Sequence, residues 1–338
     1  MAKSTHKVLI ALNKITVMTT SDSKPSKSLT RTLKNFVKSR LLHSVFAGGQ
    51  RLGFDILPRH FYSEIPDLKT LRSTTSWRKP YTMLGVLGSC TEEQLQWVKG
   101  VVTPELRSWL GRSDIHNQAC LDNGEEGYGK IEAEFLHCFI KRYQPKTILQ
   151  VGCGVSTAVC LRAASEISYQ PRIICIEPYP TPFLKRSCEA GIIELIKMRL
   201  QDVDPVIMHE LKAGDLLFVD SSHALGPAGE VTRIMLEFLP RLSVDMFAHF
   251  HDIYFPYDYQ GGLLNDQLFF QHETALLLAF LTLNPHYRIM GSLSMLHHKK
   301  QHDLTEIFPH YVPAKFIDGI KNTVGHFPSS IFIRRVLN

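Results

Sequence analysis

At 338 residues, 44% apolar and 21% charged, the chain is long enough for a full core. It is one large domain or a core with an added piece. No apolar run approaches the ~18 residues of a membrane-spanning helix, and the short run Val8–Leu12 is cut by Asn13 and Lys14, which argues against a secretory signal. The seven cysteines are odd in number and lack any Cys-x-x-Cys, which excludes a disulfide framework or a zinc ribbon and suits a reduced, cytoplasmic setting.

Charge is uneven. Residues 1–60 carry eleven Lys and Arg against Asp22 and Asp55, so +9 lies here and −3 on the remainder of the +6 total. Such a leader reads either as an arm for nucleic acid or an anionic membrane, or as a solvated, partly disordered tail. Ser21 to Lys27, with Pro25, supports the tail. No interleaved aromatics of an RNA-binding motif occur, so nucleic acid is not an expected partner. Leu33, Phe36, Val37, Leu41 and Leu42 share the spacing of one amphipathic helix over 33–42. The expected organisation is a basic leader (1–50), an accessory segment (51–125) and a core (126–338). In the accessory segment, helices are expected near Thr91–Gly100 and Pro104–Leu110, the first with Thr91 as cap and Gln94 completing a capping box.

Within the core, Ile131–Tyr143 reads as a helix leading into the strand Thr147-Ile-Leu-Gln-Val-Gly152. Gly152 and Gly154 allow a tight turn and close approach of a ligand to the backbone. Ser156 or Thr157 can cap the helix that follows, to Ile167. Further strands are expected at 172–177, about 194–199, 215–220, 245–251, 287–296 and 330–335, with an apolar helix at His272–Asn284. Glu177 ends the second strand, 25 residues past Gly152, where it can accept both hydroxyls of a ribose. A dinucleotide or an adenosine-bearing methyl donor would satisfy this pattern. Thr157 stands where the dinucleotide fingerprint has its third glycine. That glycine serves pyrophosphate binding at the helix N-terminus, and S-adenosylmethionine has no pyrophosphate. Two more strands end in polar clusters, Asp220-Ser-Ser-His223 and His249-Phe-His-Asp252, at the carboxyl edge where open α/β sheets bind ligands.

LQVGCGVST, CIEPYP, GDLLFVDSSH, LPRL and HFHDIYFPYDY, in this order, resemble a class I S-adenosylmethionine-dependent methyltransferase, and more narrowly the methyltransferase domain 24 type. Gly53–Pro66, Gly127–Glu134 and Ser329–Arg335 extend the likeness to roughly residues 50–338. The resemblance implies a Rossmann-like, mostly parallel sheet of seven strands, the last antiparallel, with helices on both faces. It implies a donor site of Gly152, Gly154, Ser156, Glu177, Asp202 (or Gln201), Asp220 and Ser221. His223, His251 and Asp252 are the candidate proton acceptors, because imidazole titrates near neutrality. His249 alternates with His251 and so shares its face. Distant relatives that methylate sugar hydroxyls imply a divalent cation at Asp220 and Asp252, and histidines beside them suit a borderline metal better than Mg²⁺.

The departures are four. Gln150 replaces the acid that helps hold the donor's methionine end; Leu242-Ser-Val-Asp245 lacks a glycine; Gln260 replaces a proline; Gln271-His-Glu-Thr274 replaces a Trp-Asn-Glu-Gln helix start. The expected function is O-methylation of a small molecule or glycan, with a homo-oligomer among the expected assemblies. The alternatives are a non-catalytic binding protein on the same fold, which Gln150 favours, and a nicotinamide (NAD) oxidoreductase, which Thr157 disfavours.

Overall fold

Parallel strands buried on both faces read as continuous apolar runs, and four such runs build the centre of this protein. In the computed structural model, which describes residues 27–74, 76–227, 229–260, 268–317, 321–322 and 325–337, β1 (Thr147–Val151), β2 (Arg172–Ile176), β3 (Glu194–Ile196), β4 (Leu216–Val219), β5 (Phe247–Phe250), β6 (Tyr287–Ser292) and β7 (Ile331–Arg335) form one sheet. Their order is β3-β2-β1-β4-β5-β7-β6, and β7 alone runs antiparallel to its neighbours. This is the expected Rossmann-like arrangement. The order reverses between β1 and β4, which opens the crevice where such sheets bind ligands.

The helices are α1 (Lys27–Arg51), α2 (Leu68–Ser73), α3 (Thr91–Val101), α4 (Pro104–Leu110), α5 (Ile115–Asn123), α6 (Lys130–Tyr143), α7 (Val155–Ser165), α8 (Pro182–Glu189), α9 (Glu230–Arg233), α10 (Glu273–Leu281), α11 (Leu293–Lys299) and α12 (Gln301–Ile307). Alternate strand residues face opposite layers. Ile148, Ile173, Leu216, Phe218, Phe247 and Phe332 pack with Phe135 and Phe139 of α6. Leu149, Val151, Ile174, Leu217, Val219 and Ile333 pack with Phe238 and with Leu277 of α10.

The chain divides into two units, Met1–Pro66 and Asp67–Asn338. The division falls inside the expected accessory segment, so α2–α5 belong with the sheet. The leader as far as Ser26, with its Val8–Leu12 run and most of the Ser21–Lys27 stretch, lies outside the described residues. In the first unit α1 is 25 residues long, well beyond the expected 33–42, and contains no acid.

Several boundaries differ for identifiable reasons. Thr91 does not cap α3: Cys90 holds the cap position without a side-chain bond. Gln94 is buried instead, donating to the Gly88 carbonyl (2.8 Å) and accepting the Ser292 N–H (3.0 Å). β6 stops at Ser292 because its hydroxyl accepts the Met295 N–H (3.3 Å) and starts α11. At α7 the cap position is Gly154; the Thr157 hydroxyl, inside the first turn, accepts the Gly154 N–H (3.3 Å).

Candidate active site

The glycine turn is dictated by the contact between two strand ends. Gly152 has φ +78°, and a Cβ there would lie 1.7 Å from the Asp220 carbonyl oxygen. Only glycine lets β1 end this close to β4. Beneath the turn, Gln150 is fully buried and both amide atoms are engaged: Nε2 donates to Ser156 Oγ (3.3 Å), and Oε1 accepts the Thr157 hydroxyl (2.7 Å). Gln150 thus ties β1 to the start of α7. Glu177, at the tip of β2, accepts the Cys153 N–H (3.3 Å) and the Tyr179 N–H (2.8 Å). Its carboxylate is fixed against the turn before any ligand arrives. A cavity of about 200 Å³ opens here, lined by Gly152 to Ser156, Glu177, Asp220, Tyr128 and Asn123 among others.

Gly152, Gly154, Ser156, Glu177 and Asp220 are therefore brought together. Asp202 and Ser221 do not line this cavity. Asp202 is exposed and pairs with Arg199 (2.9 Å). Its neighbour Gln201 has a buried side-chain oxygen with no partner among the described residues. Ser221 Oγ is likewise buried without a partner there.

Asp220 also belongs to a second group at the ends of β4 and β5. His223 Nε2 lies 3.5 Å from Asp220 Oδ1 and 3.4 Å from Asp252 Oδ2. His251 Nδ1 lies 3.2 Å from Asp220 Oδ1 and 3.6 Å from Asp252 Oδ1. The Ser329 hydroxyl donates to Asp252 Oδ1 (3.0 Å). His223 and Asp252 both hold positive φ (+59° and +56°), a conformation non-glycine residues keep only where the surroundings enforce it.

Burial by itself would drive the protons off both imidazoles, but the carboxylates around them override it. Asp220, Glu273 and Asp252 raise His223 to about 11, and Asp220 and Asp252, with Glu132, raise His251 to about 10. Burial likewise opposes ionisation of Asp220, yet the two imidazoles hold it well below the usual carboxylate range. His249, on the same face, behaves oppositely. Burial, helped by the charge on His251, pushes it well down. It stacks on Phe218 (ring centroids 4.4 Å apart) and shares a hydrogen bond with the Tyr128 hydroxyl (3.1 Å). His249 is a neutral core residue.

Three functional candidates were not singled out from the sequence. Glu273 Oε2 sits 2.6 Å from His223 Nδ1. Glu132 Oε1 accepts the Ser329 N–H (2.8 Å), next to Asp252. The Tyr128 ring lies 4.9 Å from that of His251. For the two acids the sequence offered only their place in the first turns of α6 and α10, where an acid ordinarily faces water, and for Tyr128 it offered none.

One ligand atom each from Asp220, His223 and Asp252 falls within 4.8 Å of the others. Atoms bound at about 2.1 Å to one cation and 90–110° apart lie ~3.0–3.4 Å from each other. The observed 3.4–3.5 Å from Nε2 to the two carboxylates needs little adjustment. The donor set, two carboxylates and one imidazole, fits a divalent cation.

Residues 149–253 match the family model described as "Methyltransferase domain". The match covers 105 of the 338 residues and makes this stretch similar to a methyltransferase domain. The matched span runs from β1 to just past β5, so the domain contains Gly152, Glu177, Asp220, His223, His251 and Asp252 but not Tyr128, Glu132 or Glu273. An uncharacterized protein of Archaeoglobus fulgidus is 28% identical over 184 residues, 51% of this chain and 81% of that protein. Among solved structures, a Podospora anserina methyltransferase bound to S-adenosylhomocysteine aligns with TM-score 0.38 and 16% identity, over 83% of this chain and 98% of that one. An O-methyltransferase of tomaymycin synthesis from Streptomyces achromogenes, in complex with S-adenosylmethionine, aligns with TM-score 0.40 and 16% identity, over 70% and 91%.

Proposed function

We propose that this chain methylates a hydroxyl oxygen of a small molecule or glycan, with a divalent cation held by Asp220, His223 and Asp252. The observation that carries this reading is the double membership of Asp220. It lines the cavity of the glycine turn and also contacts both histidines. Donor and acceptor sites would then share a wall.

Methyl transfer needs an activated donor, an aligned oxygen and somewhere for the oxygen's proton to go. The Gly152–Gly154 backbone would lie along the donor, and Glu177 would accept its ribose hydroxyls. Gln201 and Asp202, which follow β3, would hold the adenine beyond the cavity at the glycine turn, and Ser156 inside that cavity would complete the donor site. A bound divalent cation supplies positive charge that favours the ionised acceptor oxygen. As they stand, His223 and His251 keep their protons at neutral pH. Burial alone favours the neutral form of His251, and the charges on Asp220 and Asp252 beside it hold its proton. His251 and Asp252 are the groups that would take the acceptor's proton.

A second reading, a donor-binding protein without turnover, is favoured by Gln150, whose amide is spent inside the fold. A screen with labelled methyl donor over sugars, phenols and RNA, with and without chelator, separates the two. Transfer to a sugar or phenol hydroxyl, lost in Asp252→Ala while S-adenosylhomocysteine still binds, is the expected result. Transfer to RNA alone, or full activity in Asp252→Ala with and without chelator, would refute the proposal.

A further inference from the structure

Glu273 lies in the first turn of α10, where an acid ordinarily faces water and complements the helix dipole. This one is 0% exposed. Its carboxylate crosses 50 residues of sequence to meet His223, Oε2 to Nδ1 at 2.6 Å, while Oε1 has no partner among the described residues. An ionised carboxylate only accepts, so Nδ1 is the donor in this bond. The ring is then fixed in position and in tautomer. Nε2 is left as the nitrogen that faces the gap between Asp220 and Asp252.

We infer that Glu273 is the positioning residue of the cation site, binding His223 Nδ1–H so that Nε2 stands as third donor beside Asp220 and Asp252. The inference rests on the cation reading given above and deepens it. A carboxylate behind a metal-ligating histidine fixes the ring and strengthens it as a ligand, and loss of such a partner lowers metal affinity 10–100-fold. An imidazole donor also selects the kind of ion. Two carboxylates with one imidazole suit Mn²⁺, Fe²⁺, Co²⁺ or Zn²⁺ better than the all-oxygen shells of Mg²⁺ or Ca²⁺.

The test uses the full chain and two probe ions. Calorimetric titration with Mn²⁺ is run on the parent, Asp220→Asn, Glu273→Ala and Glu273→Gln, each checked by thermal melting. The visible spectrum of the Co²⁺ complex is recorded for the same proteins and for His223→Ala. The parent should bind Mn²⁺ and Asp220→Asn should lose it. Glu273→Ala should bind roughly 10–100-fold more weakly, with a Co²⁺ band shifted toward that of His223→Ala. Glu273→Gln, whose amide oxygen accepts the same N–H, should regain most of the affinity and the parent band. If Glu273→Ala fails to fold, Glu273→Gln decides the matter by keeping or losing the parent spectrum. Parent-like affinity and spectrum in Glu273→Ala would overturn the positioning role while leaving the cation site intact. A folded Glu273→Gln no better than Glu273→Ala would do so too. Failure of the parent to bind either ion would overturn the cation reading itself, and this inference with it.

Discussion

Replacing Glu177 by Ala tests the donor site most directly. The carboxylate already accepts two backbone N–H groups, from Cys153 and Tyr179, and each oxygen keeps a lone pair directed away from them. A ribose diol would take both. Hydrogen bonds to a charged acceptor contribute about 1.5–3 kcal/mol each. Glu177 is half-buried, so the low end applies and the pair amounts to ~3 kcal/mol, roughly 100-fold in affinity. The substitution also removes the two backbone contacts, which loosens the turn itself. Glu177→Gln separates the effects, because one amide oxygen still accepts while the NH₂ group cannot. Calorimetric titration with S-adenosylhomocysteine should show Glu177→Ala about 100-fold weaker and Glu177→Gln in between, with melting temperatures near the parent's. Parent-like affinity in a folded Glu177→Ala would show that the ribose is held elsewhere.

Gly152→Ala should abolish donor binding and lower the melting temperature together, since its Cβ would fall 1.7 Å from a backbone oxygen that cannot swing aside; a fully stable variant would contradict the strand-end geometry. Deleting residues 1–45, all of which precede the sheet-bearing unit at Asp67, should leave melting temperature and donor affinity nearly unchanged, and a large loss of either would show that the leader matters to the core. Stability should fall as pH rises above about 6.5. In the unfolded chain His223 and His251 release their protons near that value, whereas folded they keep them to about 11 and 10. The stability they contribute is fully present below ~6.5 and is lost as pH climbs toward those values, by ~1–3 kcal/mol per pH unit while both remain charged. Urea midpoints at pH 6.5, 7.5, 8.5 and 9.5 in chelator measure the slope; a flat series would refute the charged pair.

What the sequence made legible was what local pattern controls. β1, β2, β4 and β5 are short apolar runs between turn residues, and their length and flanking turns favour strands buried on both faces over helix segments. The carboxyl-edge rule then brought Asp220, His223, His251 and Asp252 to one place. What stayed hidden was set by partners far along the chain. Gln94 reads as half of a capping box until the fold brings Ser292 against it. Glu273 reads as a helix-start acid until His223 arrives from 50 residues away. His249 and His251 look equivalent in sequence, two residues apart on one face. Phe218 and Tyr128 enclose the first as a neutral ring, while Asp220 and Asp252 charge the second. Alternation gave their direction; only packing could give their protonation.

The same contrast supports reading the sheet edge as a site rather than a polar rim. Four carboxylates, Asp220, Asp252, Glu132 and Glu273, surround two imidazolium groups, leaving two negative charges uncompensated if every acid ionises. Burial pushes Glu132 and Glu273 upward, opposing their ionisation, while the neighbouring charges on His251 and His223 favour it. Buried charge that is not balanced is expensive, and folds do not assemble six titratable groups at a strand edge for stability alone. A divalent cation would supply two positive charges at the one gap where Asp220, His223 and Asp252 converge. The cluster adjoins the glycine turn through Asp220, so its charge balance and the donor cavity are joined at a single side chain. That junction is where a sulfonium methyl and an ionising hydroxyl would have to meet.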